Sequence, residues 1–162
     1  MTTPPGSLFV FYYGGKIFGL SCETVEEVLP MPLLSFAPGM PGVLAGFLNL
    51  GGEAIPVLNP KTLFGLEAET PERDAHLLVI AGERRSALRV DRAEGFLELS
   101  SPAVRADEKE TFNGLVGWIA QSENGPLYVL RPGRLLLEEE ARRLEEFRTI
   151  EQDRLAAVGR GG

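Results

Sequence analysis

GFLNLGGEAIPVLNP, residues 46–60, admits two opposite readings, and the choice between them decides the fold. Its glycines invite comparison with a phosphate-cradling loop. Such a loop has the form G-x-x-x-x-G-K-[ST] and opens a helix. Here no lysine follows the glycines, and EAIPVL continues as a strand. The stretch is therefore read as a β-hairpin turning at Gly51-Gly52, since glycine takes the positive φ that a two-residue turn demands. Pro56 has no N–H to give a ladder, so the second strand is expected at an edge or beside a bulge. KTLFGL, residues 61–66, follows as a single helical turn.

The same pattern recurs along the chain. LFVFYYGGKIFGLSC (8–22) reads as a hairpin around Gly14-Gly15, with Phe18, Leu20 and Cys22 alternating onto a buried face. HLLVIAGERRSALRVD (76–91) and LVGWIAQSENGPLYVL (115–130) read as further hairpins, and AEGFLELS (93–100) as extended chain. ETVEEVLP (23–30) is ambiguous. Val25, Val28 and Leu29 have helical spacing, yet the segment could equally extend a strand. PMPLLSFAPGMPG (30–42) and SPAVRADEKETFNG (101–114) read as loops. EAETPERDA (67–75), charged and poor in apolar residues, is the best internal boundary. The segment from Leu135 to Gly159 reads as a long helix with an apolar stripe at Leu137, Ala141, Leu144 and Phe147. Glu138, Glu139 and Glu140 complement its dipole, and Glu138–Arg142 and Glu139–Arg143 are favourable i,i+4 pairs. The stripe weakens from Ile150, so the last turns are expected to fray and to add little stability.

A repeat lies within this pattern. VLNPKTLF (57–64) resembles VLRPGRLL (129–136), and TVEEVL (24–29) resembles RAEGFL (92–97), each pair about seventy residues apart. Each unit would supply about five short strands, enough for a small barrel. The expected organisation is one subdomain over 8–66, a second over 76–136 and a C-terminal helix over 137–158.

Composition and chemistry narrow the function. The formal charge is −7, so a general nucleic-acid partner is disfavoured, as is an anionic membrane surface. No apolar run reaches membrane-spanning length and no signal peptide is visible, which, with a single cysteine, fits a cytoplasmic protein. His76 and Cys22 are the only residues of their kinds, too few for the common structural metal sites. Neither a catalytic motif nor a cofactor loop is present, and no cofactor or metal is expected. A β-rich chain without visible chemistry fits a binding module rather than an enzyme.

Four segments carry a family resemblance. GFLNLGGEAIPVLNPKTLFGL resembles the signature G-x-x-N-L-R-G-x-x-x-P-V-x-[DN]-L of the CheW-like chemotaxis coupling proteins. VFYYGGKIFGLSCETVEEVL resembles their first hairpin and V-x-E-V segment, ALRVDRAEGFLEL their A-L-x-V-D-x-V-x-G segment, and GLVGWIAQSENGPLYVLRPGRLL their last hairpin. The resemblance spans roughly Leu8 to Leu144. It implies a mainly β fold of two five-stranded, SH3-like barrels packed together with a C-terminal helix. It also implies a non-enzymatic adaptor that binds the regulatory domain of a CheA-type histidine kinase and the cytoplasmic tip of a chemoreceptor. By the same resemblance the partner-binding positions are Val25, Glu27 and Val28 in V-x-E-V, Gly46, Asn49 and Gly51 in the hairpin, and Val90, Asp91 and Phe96 in the second unit. Gly51 stands where arginine is usual and Pro60 where leucine is usual. These departures leave open a scaffold of another array, such as one for type IV pili, that keeps the kinase but has altered receptor binding. A barrel for a small ligand or an oligonucleotide is the alternative from another class.

Overall fold

The computed structural model describes residues 5–36, 38–82, 85–99, 103–106, 112–135 and 138–161. Among these the chain forms β1 (Ser7–Tyr13), β2 (Lys16–Ser21), β3 (Val25–Pro30), β4 (Leu44–Leu50), β5 (Glu53–Leu58), α1 (Pro60–Phe64), β6 (His76–Ile80), β7 (Ser86–Val90), β8 (Arg92–Glu98), β9 (Val104–Arg105), β10 (Val116–Ser122), β11 (Gly125–Leu130) and α2 (Glu138–Gly161). The fold is mainly β, in two sheets with a C-terminal helix. The first sheet has the order β8-β1-β2-β11-β10-β9 and the second β3-β6-β7-β5-β4. Six and five strands thus replace the expected five and five. Among the described residues the outer strands of each sheet are not hydrogen-bonded to each other, so neither barrel is closed. No described helix is long and apolar enough to cross a membrane.

The two sheets are built alike. In each, an edge strand (β8 or β3) pairs with the first strand of a hairpin (β1–β2 or β6–β7). The second strand of that hairpin runs parallel to the last strand of another, β11 in one sheet and β5 in the other. This is the architecture a repeat produces, with one exchange. The β1–β2 hairpin sits with β8, β10 and β11, while β6–β7 sits with β3, β4 and β5. Neither sheet therefore coincides with residues 8–66 or 76–136. The parallel pairs explain the exchange, because parallel neighbours need a long crossover where antiparallel neighbours need only a turn. The polar loop read at 101–114 also holds the short strand β9, paired with Trp118 and Ile119 of β10.

Apolar side chains fill both faces of each sheet. A central cluster joins Phe11 and Phe18 of the first sheet to Phe47 and Leu78 of the second and Leu144 of α2. The opposite faces hold their own clusters, around Val10 and Ile17 in one sheet and Ile55 and Val79 in the other. Strands buried on both sides read as unbroken apolar runs, which is why FVFYY and HLLVI show little alternation. Cys22 departs from its expected place on a strand face. Strand β2 stops at Ser21, and the partly exposed thiol lies 3.1 Å from Ser7 Oγ in a single 3-10 turn.

Pro56 lies beside a bulge, one of the two places expected for it: the β4–β5 ladder shifts register between Leu44 and Gly46, opposite Leu58 and Val57. Strand β5 is interior, between β7 and β4, but β7 pairs with it only at Val57 and Leu58. The Ala54 N–H leaves the ladder and is accepted by Gln152 Oε1 at 2.9 Å. Two residues on, the missing N–H of Pro56 faces the same unpaired side, so no ladder bond is lost. Pro60 is also favourable, at the first turn of α1, where its fixed φ suits the helix. Asn59 Oδ1 accepts from Lys61 N at 3.2 Å, and Gly65 ends α1 in the left-handed region.

Helix α2 is docked further along than the stripe predicts. Leu144 is buried, Phe147 and Leu155 pack against the central cluster, and Gln152 also donates to Gly52 O at 2.7 Å. Arg154 pairs with buried Glu151 and donates to Ser35 Oγ at 3.1 Å. Ile150 itself is exposed, as expected. Leu137 and the side chains of Glu138, Glu139, Glu140, Ala141 and Arg142, and hence the proposed i,i+4 pairs, lie outside the described set.

Asp91, at the crossover from β7 to β8, locks the sheets together. Only 6% exposed, its carboxylate accepts from Gly14 N at 2.9 Å, Glu69 N at 3.0 Å and Thr70 N at 3.2 Å, and lies 3.6 Å from the Arg89 guanidinium. Next to it Tyr13 donates to Leu66 O at 2.9 Å, and burial lifts its phenol above the ordinary value.

Three stability measurements check this packing. Asp91→Ala removes the charge partner of Arg89 and the acceptor of three N–H groups, and urea unfolding is expected to show a loss of about 3–5 kcal/mol, as for a broken buried pair. Gln152→Ala leaves Ala54 N and Gly52 O unpaired and is expected to cost about 1–3 kcal/mol. Truncation after Glu151 should cost at least as much, since it also removes Leu155; an unchanged midpoint would show that the end of α2 is not docked.

Candidate functional site: an apolar seam between two bulged edges

The ambiguous spacing of ETVEEVLP has a structural cause. In the β3–β6 ladder Val25 lies opposite Ile80 and Glu27 opposite Val79, so Glu26 is an extra, bulged residue. In a regular strand, positions 25 and 28 would point to opposite faces. One bulged residue brings them to the same face. Their cross-strand partners, Ile80 and Leu78, both belong to the central cluster, and Val25 packs partly buried on it. Val28, 37% exposed, stands at the rim. Glu27 and Leu29 lie opposite Val79 and Leu77, members of the other cluster, so Glu27 points away from the two valines.

Strand β8 repeats this arrangement in the first sheet. Gly95 lies opposite Val10 and Ala93 opposite Phe11, which leaves Glu94 as the bulged residue. The alignment of TVEEVL with RAEGFL places Glu94 at the position of Glu26. Ala93 packs partly buried on the central cluster, as Val25 does. Phe96 lies opposite Phe9, their rings edge-on with centroids 5.3 Å apart, and remains 73% exposed. Strand β8 also touches β6, the neighbour of β3. Val25 and Val28 on one edge, with Ala93 and Phe96 on the other, thus lie on strand faces turned to the central cluster, an apolar seam contributed by one edge of each sheet.

Each bulged glutamate meets an arginine. Arg92 pairs with Glu94 at 3.0 Å. Arg85 donates from Nη1 to Glu26 at 3.3 Å, and from Nε at 2.9 Å and from Nη2 to Glu53 of β5. Its hydrogen bonds to Glu53, then to Glu26, hold the guanidinium above its ordinary range.

The other expected partner-binding residues lie elsewhere. Val90 is fully buried, and the carboxylate of Asp91 is consumed inside the molecule, so neither offers a surface. Gly46 is a packing residue; a Cβ there would come within 2.9 Å of Leu34 Cβ and Ser35 O. Asn49 Oδ1 accepts from Gly52 N at 2.9 Å and closes the hairpin turn. Gly51 lies in that turn, with a φ of 61°. These three belong to the β4–β5 hairpin, and β4 is the edge of the second sheet opposite β3. Ala93 is the seam residue that the motif comparison passed over; its match to Val25 in the repeat was the available signal.

Among the described residues no three His, Cys, Asp or Glu side chains are placed to hold a metal ion. His76 starts β6 as expected, with a buried Nδ1 that has no hydrogen-bond partner among the described residues.

Comparison with known proteins fits this geometry. Residues 7–140 match the model of the CheW-like domain. The chain belongs to the CheW-like family. The fold of the scaffolding protein TtCheW from Thermoanaerobacter tengcongensis superposes with a TM-score of 0.76 at 21% identity, covering 85% of this chain and 91% of that one. No curated protein matches.

Within the CheW-like signature the glycine at position 51 has a conformational reason. A Cβ there meets nothing within 4 Å, yet the left-handed backbone penalises it. Gly51→Ala or Gly51→Arg is therefore expected to cost about 1–2 kcal/mol, and Gly51→Asn less, because asparagine tolerates this region. Chemical denaturation of the three variants checks the order; an Arg variant as stable as wild type would show that the turn relaxes.

Proposed function

We propose that this CheW-like chain is a non-enzymatic adaptor, coupling chemoreceptors to a CheA-type histidine kinase, and that the seam between β3 and β8 is a partner-binding surface. The observation that carries the reading is the exposure of Val28 and Phe96 on two equivalent bulged edges. An exposed aromatic beside partly buried apolar neighbours is the usual composition of an interface anchor. The surface also draws on both sheets, so a partner seated there senses their relative placement. The hairpin turn at Gly51 presents no guanidinium of its own, which supports a second reading: kinase binding kept and receptor binding altered.

The test uses the full chain against two probes, the CheW-like regulatory domain of the CheA-type kinase and a receptor-tip fragment. Phe96→Ala is expected to weaken at least one of them by about thirtyfold, corresponding to about 2 kcal/mol at an anchor residue. Val28→Asp should act in the same direction, with the melting temperature unchanged in both variants. Titration calorimetry separates the outcomes. Loss for both probes supports the coupling adaptor. Kinase binding without receptor binding in the wild type supports the altered scaffold. Wild-type affinity in the double variant overturns the seam.

A further inference from the structure

A guanidinium sits beside the β4–β5 hairpin, delivered from the entry to β7. Arg85 donates to the Glu53 carboxylate, two residues beyond Gly51, through two of its nitrogens, and reaches the bulged Glu26 through a third. It therefore ties the hairpin to the strand that carries Val25 and Val28. The order β3-β6-β7-β5-β4 shows what this link spans. Arg85 precedes β7, and its two carboxylates come from β3 on one side and β5 on the other. Strand β3 is an edge held by one neighbour, β6, and its ladder is interrupted where Glu26 bulges. A bulge re-aims a side chain at the cost of local pairing. Fixing the bulged carboxylate fixes the register that turns Val25 and Val28 to one face. The pair is partly exposed, with Arg85 and Glu26 about one-third accessible, and such pairs add little to global stability. Global stability alone does not account for it.

We propose that Arg85 acts as a positioning residue, holding the Glu26 bulge so that β3 presents its valine pair at the seam. This rests on the adaptor reading for the partner, though not for the effect on β3. Lysine is a poor substitute, because a single ammonium does not span two carboxylates as a planar fork does.

The experiment has two arms. In the first, amide hydrogen exchange is measured on the full chain without any partner. Arg85→Gln is expected to speed exchange across β3 at least threefold and to leave β1–β2 and α2 unchanged, with Arg85→Lys intermediate. Unchanged β3 exchange overturns the proposal, whatever the protein binds. In the second, the same variants and Glu26→Gln are titrated with the CheW-like regulatory domain of the CheA-type kinase. Arg85→Gln and Glu26→Gln should each weaken binding about three- to fivefold, and together no more than either alone, as for two residues acting through one contact. Additive losses, or wild-type affinity in Arg85→Gln, overturn the link between the bulge and the seam. A wild-type chain that does not bind the kinase domain, with the exchange effect present, places the failure in the adaptor reading instead.

Discussion

The carboxylate of Asp91 sits where the chain leaves one sheet for the other, and the rest of the arrangement hangs from it. Burying a lone carboxylate is expensive unless charge and hydrogen bonds compensate. Here Arg89 supplies the charge and three backbone N–H groups supply the hydrogen bonds. Those groups come from the β1–β2 turn and from the linker ahead of β6. One side chain therefore ties the first hairpin, the linker and the crossover together. Arg89 tightens the same knot by donating to Thr70 O at 2.8 Å. Because β8 begins at the next residue, the direction in which it leaves is set by this knot, and with it the line of the seam.

The exchanged hairpins explain why one knot suffices. Each half of the chain gives a hairpin to the other half's sheet, so the two halves cannot separate without breaking ladders as well as the central cluster. That cluster is continuous from Phe9 and Phe18 through Leu78 and Leu88 to Leu144. A protein whose two halves merely touched would leave its inter-domain surface free to open. This one has its largest apolar cluster at the junction. The faces turned away from the junction are filled as well, by clusters around Val10 and Ile55.

Much of this was legible in the sequence, and the rest was hidden for physical reasons. The four hairpins were visible because glycine pairs and apolar runs are local signals. The repeat was visible in TVEEVL and RAEGFL, and it identified the two equivalent edges. The strand exchange was invisible, since parallel pairing between β5 and β7 leaves no mark on either strand. The bulges were legible only as a contradiction, helical spacing inside a strand, because nothing in a glutamate announces that it is the extra residue. Motif matching then put Val90 and Asp91 in the binding surface. It aligns residue types and is blind to burial, and an aspartate beside a charged stretch looks solvated until its three donors are seen. Gln152 was missed for the converse reason: a polar residue on the weakening part of a helical stripe gives no hint that its amide completes an unpaired strand edge.

The seam is formed by edge strands, and that choice has consequences for an adaptor. An interior strand is fixed by two neighbours; β3 and β8 are each fixed by one, and each is interrupted by a bulge. Bulges blunt an edge against indiscriminate strand pairing, and an acidic residue at the bulge adds charge to that protection. Here both devices fall on one residue in each sheet, and each glutamate is held by an arginine. What remains exposed is a small set of apolar side chains, Phe96, Leu97 and Val28, on strands whose backbone is poorly suited to further pairing. Such a surface favours recognition by side chains over strand addition. Since its two rims belong to different sheets, a partner of the proposed kind bound across it would have an affinity that depends on how Asp91 and the central cluster set those rims. By thermodynamic reciprocity, such a partner would also bias their placement, which is the condition for one interface to report on another.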